Sequence, residues 1–151
     1  KTALCVRLGA KRAIDYKSED FVEVLKAETG GKGVDVILDM VGGDYIQKNI
    51  QSLALEGRLV NIAYQNGAAA NVNFHAVLLK RLTVTASTLR ARTAAQKAEV
   101  AAGVARDAWP LLESGRIAPV VDSVFPLERV AEAHARMATG AHAGKIVLTV
   151  G

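Results

Sequence analysis

The chain has one cysteine, Cys5, among 151 residues. One thiol closes no internal disulfide and supplies no metal cluster by itself, so a reducing cytoplasm is the expected setting. Aromatic residues make up only 5%, which leaves aliphatic side chains and alanine to fill a core. No apolar run approaches the roughly 20 residues that a bilayer-spanning helix needs. The opening stretch KTALCVRLGAKRA lacks the ordered regions and cleavage site of a secretory signal. Dense charge of one sign is absent too. The formal net charge is +4, but the basic residues are scattered, with Lys80-Arg81 and Arg90/Arg92 the closest groupings. Without aromatic platforms beside them, nucleic acid is not expected as a partner, and neither is a membrane. The modest basic bias serves solubility and also suits a phosphorylated small ligand.

What is present is length and pattern. Half of the residues are hydrophobic, enough for one domain with a sizeable core. The run Gly33 to Tyr64, GVDVILDMVGGDYIQKNIQSLALEGRLVNIAY, reads as strand, glycine turn, amphipathic helix, turn, strand. Val34 to Met40 is nearly continuously apolar, as a parallel strand covered on both faces would be. Asp44 is placed to cap a helix reaching about Leu55, in which Tyr45, Ile46, Ile50 and Leu53 recur at helical spacing. Gly57 is expected to end that helix, and Arg58 to Ala63 to form the next strand.

Around this unit, Leu4 to Leu8 reads as helical with Gly9 as its stop. Arg12 to Tyr16 is predicted as a short strand. Ser18 is the expected N-cap of a helix over Glu19 to Thr29. A helical segment around Phe74 to Lys80 precedes a strand over Leu82 to Ser87. Thr93-Ala-Ala-Gln96 is a capping box opening the longest helix, and Pro110 predicts a kink or restart within it. Val120 to Phe125 reads as extended, Pro126 as the first turn of a helix to Thr139, and Lys145 to Val150 as a closing strand. Alternating strands and helices argue for an α/β domain with a parallel sheet. The last unit need not belong to that sheet.

A phosphate-cradling G-x-G-x-x-G is absent. Gly30-Gly31-Lys32-Gly33 precedes a strand, whereas the fingerprint follows one. Val41-Gly42-Gly43-Asp44 follows a strand and precedes a helix but is too short. Two readings of it stay open: a tight turn with a cap, or backbone presented at the strand ends where open α/β sheets bind ligands. His75, His134 and His142 lie in different elements, and no G-x-S-x-G elbow occurs, so neither a zinc site nor a hydrolytic nucleophile is indicated. Asp39 ends the best strand. It could act as an acid or metal ligand, but a carboxylate there more often holds neighbouring backbone N–H groups. Arg90 and Arg92 could grip a phosphate or carboxylate, or be solvated loop charges.

The Gly33 to Ala63 run, KRLTVTASTLRAR, and WPLLESGRIAPVVDSVFPLERVAEAHARMATGAHAGKIVLTV together resemble the medium-chain dehydrogenase/reductase superfamily. They are most similar to its zinc-independent, zeta-crystallin-like quinone oxidoreductase branch. The resemblance implies α/β architecture: a partial Rossmann domain over 1–119 lacking its first two strands, and a 120–151 segment that returns to a catalytic lobe outside this sequence. Strand order in such folds is 3-2-1-4-5-6. The Ala13 to Tyr16 strand would then stand apart from Val34 to Met40 by two vacant places, unless this is part of a longer protein or pairs with another copy.

By resemblance, Lys1 and Tyr16 would meet the 2′-phosphate of NADPH. Val41, Gly42, Ile62, Ala63 and Gln65 would approach the nicotinamide, and Thr88 and Leu89 would line the far wall. Ile62 and Ala63 stand where relatives often carry an aromatic residue and a glycine. The implied chemistry is hydride transfer from NADPH to a quinone or electron-poor alkene. Catalytic residues are unknown, since the pocket would lie mostly in the other lobe, and this chain alone is expected to be inactive. A homodimer through the Leu82 to Ser87 edge is also implied. Two alternatives remain: a non-catalytic cofactor-binding or dimerisation module, and half of a class I methyltransferase, whose Gly-containing turn LALEGRLV resembles.

Overall fold

The computed structural model describes every residue from Lys1 to Gly151. By contact the chain divides into two compact units, Thr2–Arg92 and Thr93–Gly151 together with Lys1. The boundary expected from family resemblance, after residue 119, follows a different criterion from compactness.

The first unit opens with helix α1 (Thr2–Arg7), and Gly9 at φ 107° turns the chain out of it. The strand expected at Arg12 to Tyr16 does not form; those residues belong to no strand. An extended segment becomes a strand only when a neighbour takes its N–H and C=O groups, and none pairs with it here. Helix α2 (Phe21–Glu28) is capped by Asp20, whose carboxylate accepts from Val22 N at 3.0 Å. Ser18, the expected cap, instead donates its hydroxyl to the Asp15 carbonyl.

Strand β1 (Val34–Asp39), helix α3 (Tyr45–Ser52), strand β2 (Leu53–Asn61), helix α4 (His75–Lys80) and strand β3 (Thr83–Ala86) follow. The three strands form a parallel sheet in the order β1-β2-β3. Helix α3 is shorter than expected, and Asp44 makes no side-chain cap. Leu53 leaves the helix to pair with Val34, and the register jumps so that Val36 meets Arg58. Residues 54–57 thus bulge within β2 rather than extend α3, with Glu56 in the left-handed region at φ 61°. Lys80 fixes this corner by donating to the Gln51 and Leu53 carbonyls at 3.0 and 2.6 Å, groups that a helix end leaves without partners.

The core of this unit is Ile50, Leu53 and Leu59, with Val34, Ile37, Ile46, Val77 and Leu82 packed against them. Burying each large aliphatic side chain contributes about 1.5–3 kcal/mol. Coverage of β1 on both faces is not observed: Ile37 faces the core, while Val36 and Leu38 are 62% and 66% exposed. Helices α3 and α4 cover one face of the sheet, and period-two alternation sends Val36 and Leu38 to the other.

The second unit begins with α5 (Ala94–Asp107), opened by the expected capping box between Thr93 and Gln96. The chain restarts as α6 (Trp109–Glu113) with Pro110 in its first turn, where its missing N–H costs nothing. Strand β4 (Val121–Pro126) leads through a 3₁₀ turn (Leu127–Arg129) into α7 (Val130–Ala138) and strand β5 (Lys145–Thr149). Pro126 therefore ends a strand and caps the 3₁₀ turn instead of opening α7. Strands β4 and β5 pair in parallel as a separate two-stranded sheet.

Candidate functional site

Three parallel strands end on one edge of the first unit, and each releases a loop there. Their register sets Asp39 beside Asn61, and Asn61 beside Ala86. Val41 and Gly42 follow β1, Ile62, Ala63 and Gln65 follow β2, and Thr88 and Leu89 follow β3. Sequence reasoning placed seven candidate residues in these loops, and the sheet brings all seven to the same edge.

The first two loops are stitched together by backbone. Ile62 N donates to the Asp39 carbonyl at 2.8 Å, Gln65 N to Met40 at 3.2 Å, and Asn66 N to Val41 at 2.8 Å. In return Gly43 N donates to the Gly67 carbonyl at 2.8 Å. So close an approach requires glycine. A Cβ on Gly42, whose φ is +71°, would lie 2.6 Å from the Gly67 oxygen, and one on Gly43 2.7 Å from the Asn66 oxygen.

Asp39 is 4% exposed. Its Oδ1 accepts from Val41 N at 2.8 Å and its Oδ2 from Gly42 N at 3.1 Å. Val41-Gly42 thus forms a tight turn, held by Asp39 and without a side-chain cap from Asp44. Asn61, also 4% exposed, reaches toward the Thr85 carbonyl at 3.4 Å, and its Oδ1 is buried without a partner. Its backbone carbonyl accepts from Ser87 N at 2.9 Å, tying the third loop to the second. Asn61 was not among the residues singled out from the sequence; the one signal was an amide directly after the apolar pair Leu59-Val60.

In the third loop, Arg92 Nε donates to the Thr88 carbonyl and Arg92 N to Leu89, both at 3.2 Å. Arg92 therefore closes the turn that carries Thr88 and Leu89. Tyr16 is exposed and lines a cavity of about 250 Å³ with Phe21, Met40, Val41, Tyr45 and Asn49. Phe21 and Tyr45 stack there with ring centroids 5.4 Å apart. Lys1 is counted with the second unit, where its Nζ donates to the Gly140 carbonyl at 2.6 Å. Tyr16 belongs to the first unit.

A family model described as zinc-binding dehydrogenase matches residues 8–148. The chain belongs to that family. Quinone oxidoreductase-like protein 2 of Bos taurus is 31% identical over 150 residues, covering 99% of this chain and 43% of the relative. The 2-haloacrylate reductase of a Burkholderia species is 31% identical over 147 residues, covering 94% and 43%. Among solved structures, the apo JamJ enoyl reductase superposes with a TM-score of 0.79 at 25% identity, over 100% of this chain and 45% of that one. An NAD-dependent alcohol dehydrogenase gives 0.75 at 29% identity, over 100% and 41%. The chain thus spans less than half the length of these relatives, as a quinone oxidoreductase-like carboxyl-terminal portion with a partial Rossmann sheet.

The family description names zinc, but the residues here do not make a zinc site. No three His, Cys, Asp or Glu side chains converge, and a zinc centre takes three or four such ligands. No helix is long and apolar enough to cross a membrane.

Proposed function

We propose that this chain is the cofactor-facing part of a cytoplasmic NADPH-dependent oxidoreductase that passes hydride to a quinone or another electron-poor alkene. The observation that carries the reading is the convergence of three loops at the carboxyl ends of the parallel strands, where open parallel sheets bind dinucleotides. Val41 and Gly42 would form one wall of the nicotinamide site, Ile62, Ala63 and Gln65 its base, and Thr88 and Leu89 the far wall. When bound, a dinucleotide would supply the hydride. The protein's share is to orient the ring and exclude water. Assigning the 2′-phosphate to Lys1 and Tyr16 rests on family resemblance alone. No residue of this chain is assigned a proton-transfer role, and the 151-residue chain by itself is expected to be inactive.

Fluorescence titration of the chain with NADPH, NADH and S-adenosylmethionine tests this reading. Preference for NADPH supports it, preference for NADH moves the cofactor assignment, and S-adenosylmethionine binding alone favours the methyltransferase reading. Quinone reduction by the isolated chain would contradict the expectation of inactivity.

A second reading, a dimerisation module, draws on β3. That strand pairs only with β2, and Thr83–Ala86 are all exposed along the sheet's edge. An unpaired edge of β-branched residues can accept another strand. Sedimentation over a concentration series tests it, and a strict monomer counts against it.

A further inference from the structure

Resting on the cofactor-binding reading, we infer that Asp39 is the positioning residue for the cofactor-facing edge, and that it acts on two loops at once. Its carboxylate holds the first loop through Val41 N and Gly42 N. Its own carbonyl holds the second through Ile62 N at 2.8 Å. One buried residue therefore fixes the separation of the Val41-Gly42 and Ile62-Ala63 segments.

The backbone ledger of the first loop shows how complete this control is. The Val41 carbonyl is taken by Asn66 N, the Gly42 carbonyl by Tyr45 N at 3.1 Å, and the Gly43 carbonyl by Ile46 N at 3.0 Å. The N–H groups of residues 41 and 42 go to Asp39 and that of Gly43 to Gly67. Every backbone polar group from Val41 to Gly43 is thereby engaged within the protein. This loop meets a ligand as a shaped surface rather than as a hydrogen-bonding one. The second loop differs: neither the Ala63 N–H nor the Ile62 and Ala63 carbonyls enter any backbone bond. Backbone hydrogen bonding to a ligand at this end of the sheet is left to that loop, and Asp39 sets the distance at which the first loop confronts it.

A carboxylate is suited to this role because it offers an acceptor to each of two adjacent N–H groups, and a charged acceptor binds more strongly than a neutral one. Asparagine keeps one oxygen and forfeits one of the two bonds. Alanine forfeits both and leaves two N–H groups unpaired.

The test measures amide hydrogen exchange and NADPH titration on the parent chain, Asp39→Asn and Asp39→Ala. Slow exchange at Val41 and Gly42 is expected in the parent, at one of the two in Asp39→Asn, and at neither in Asp39→Ala. The NADPH dissociation constant is expected to rise in the same order, by about tenfold or more for alanine, as loss of a charge-assisted hydrogen bond would give. Because Asp39→Asn retains size and one acceptor, it keeps the test decisive if Asp39→Ala fails to fold. Unchanged protection at both amides in Asp39→Asn, or unchanged NADPH affinity in a folded variant, overturns the inference. If the parent chain by itself shows no NADPH affinity, the reading of this chain as a self-sufficient cofactor-binding unit fails, and amide exchange alone decides whether Asp39 holds the turn.

Discussion

Arg136 on α7 grips Asp122 on β4 with two prongs, Nε to Oδ2 at 3.1 Å and Nη2 to Oδ1 at 2.9 Å. The same carboxylate accepts from Ala143 N at 2.9 Å, in the segment leading to β5. One side chain therefore joins strand, helix and loop of the second unit. The sequence places these residues 14 and 21 positions apart, and nothing in their spacing announces the contact.

That arrangement makes the second unit acid-sensitive. The Arg136 hydrogen bonds first, and the Ala143 N–H second, hold the Asp122 carboxyl well below its ordinary range. A depressed folded-state value means the unfolded chain binds the proton first. The stabilisation is then complete above the unfolded value, about 4, and is lost as pH falls through the folded one. Chemical denaturation between pH 7 and pH 2 should show this loss in the parent chain. Asp122→Asn should be less stable at pH 7 and show a weaker pH dependence.

Gly42 should not tolerate a side chain. With its φ at +71° and a Cβ 2.6 Å from the Gly67 oxygen, Gly42→Ala meets both backbone strain and a clash. A loss of about 1–3 kcal/mol is expected from the strain, read as a lower urea midpoint. Gly67→Ala has open space around its Cβ but φ +100°, so it should cost less than Gly42→Ala.

The two faces of the sheet predict contrasting truncations. Leu59 is fully buried and Leu38 is 66% exposed. Leu59→Ala should cost about 2–5 kcal/mol through lost burial and the cavity left behind. Leu38→Ala should stay within about 0.5 kcal/mol of the parent, as exposed sites do. Equal losses for the two variants would show that the second face is covered in solution.

Helix α5 depends on its cap. Thr93 Oγ1 accepts from Gln96 N at 3.3 Å, and Gln96 Oε1 from Thr93 N at 3.0 Å. Thr93→Ala should cost about 0.5–2 kcal/mol, with Thr93→Ser restoring most of it. Thermal melts of the three proteins provide the comparison.

Features governed by neighbours in the chain were legible in advance. The Thr93-Gln96 box, the restart at Pro110, the strand at Val34 and the glycine turn at Gly42 each follow from a few consecutive residues and their torsional preferences. Family membership was legible as well, because long motifs such as GRIAPVVDSVFPLERV are specific. Tertiary structure alone decided the rest. Ile14 and Tyr16 alternate as strand formers, but a strand exists only where a second one completes its hydrogen bonds. Leu53 fits a helical stripe, yet its pairing with Val34 moves it into β2 and turns residues 54–57 into a bulge. The Val41-Gly42 turn is a short motif with two readings until Asp39 folds back onto its N–H groups and the second loop closes against it. Local sequence sets torsions and periodicity, whereas partners in hydrogen bonds and burial are assigned only when distant segments meet.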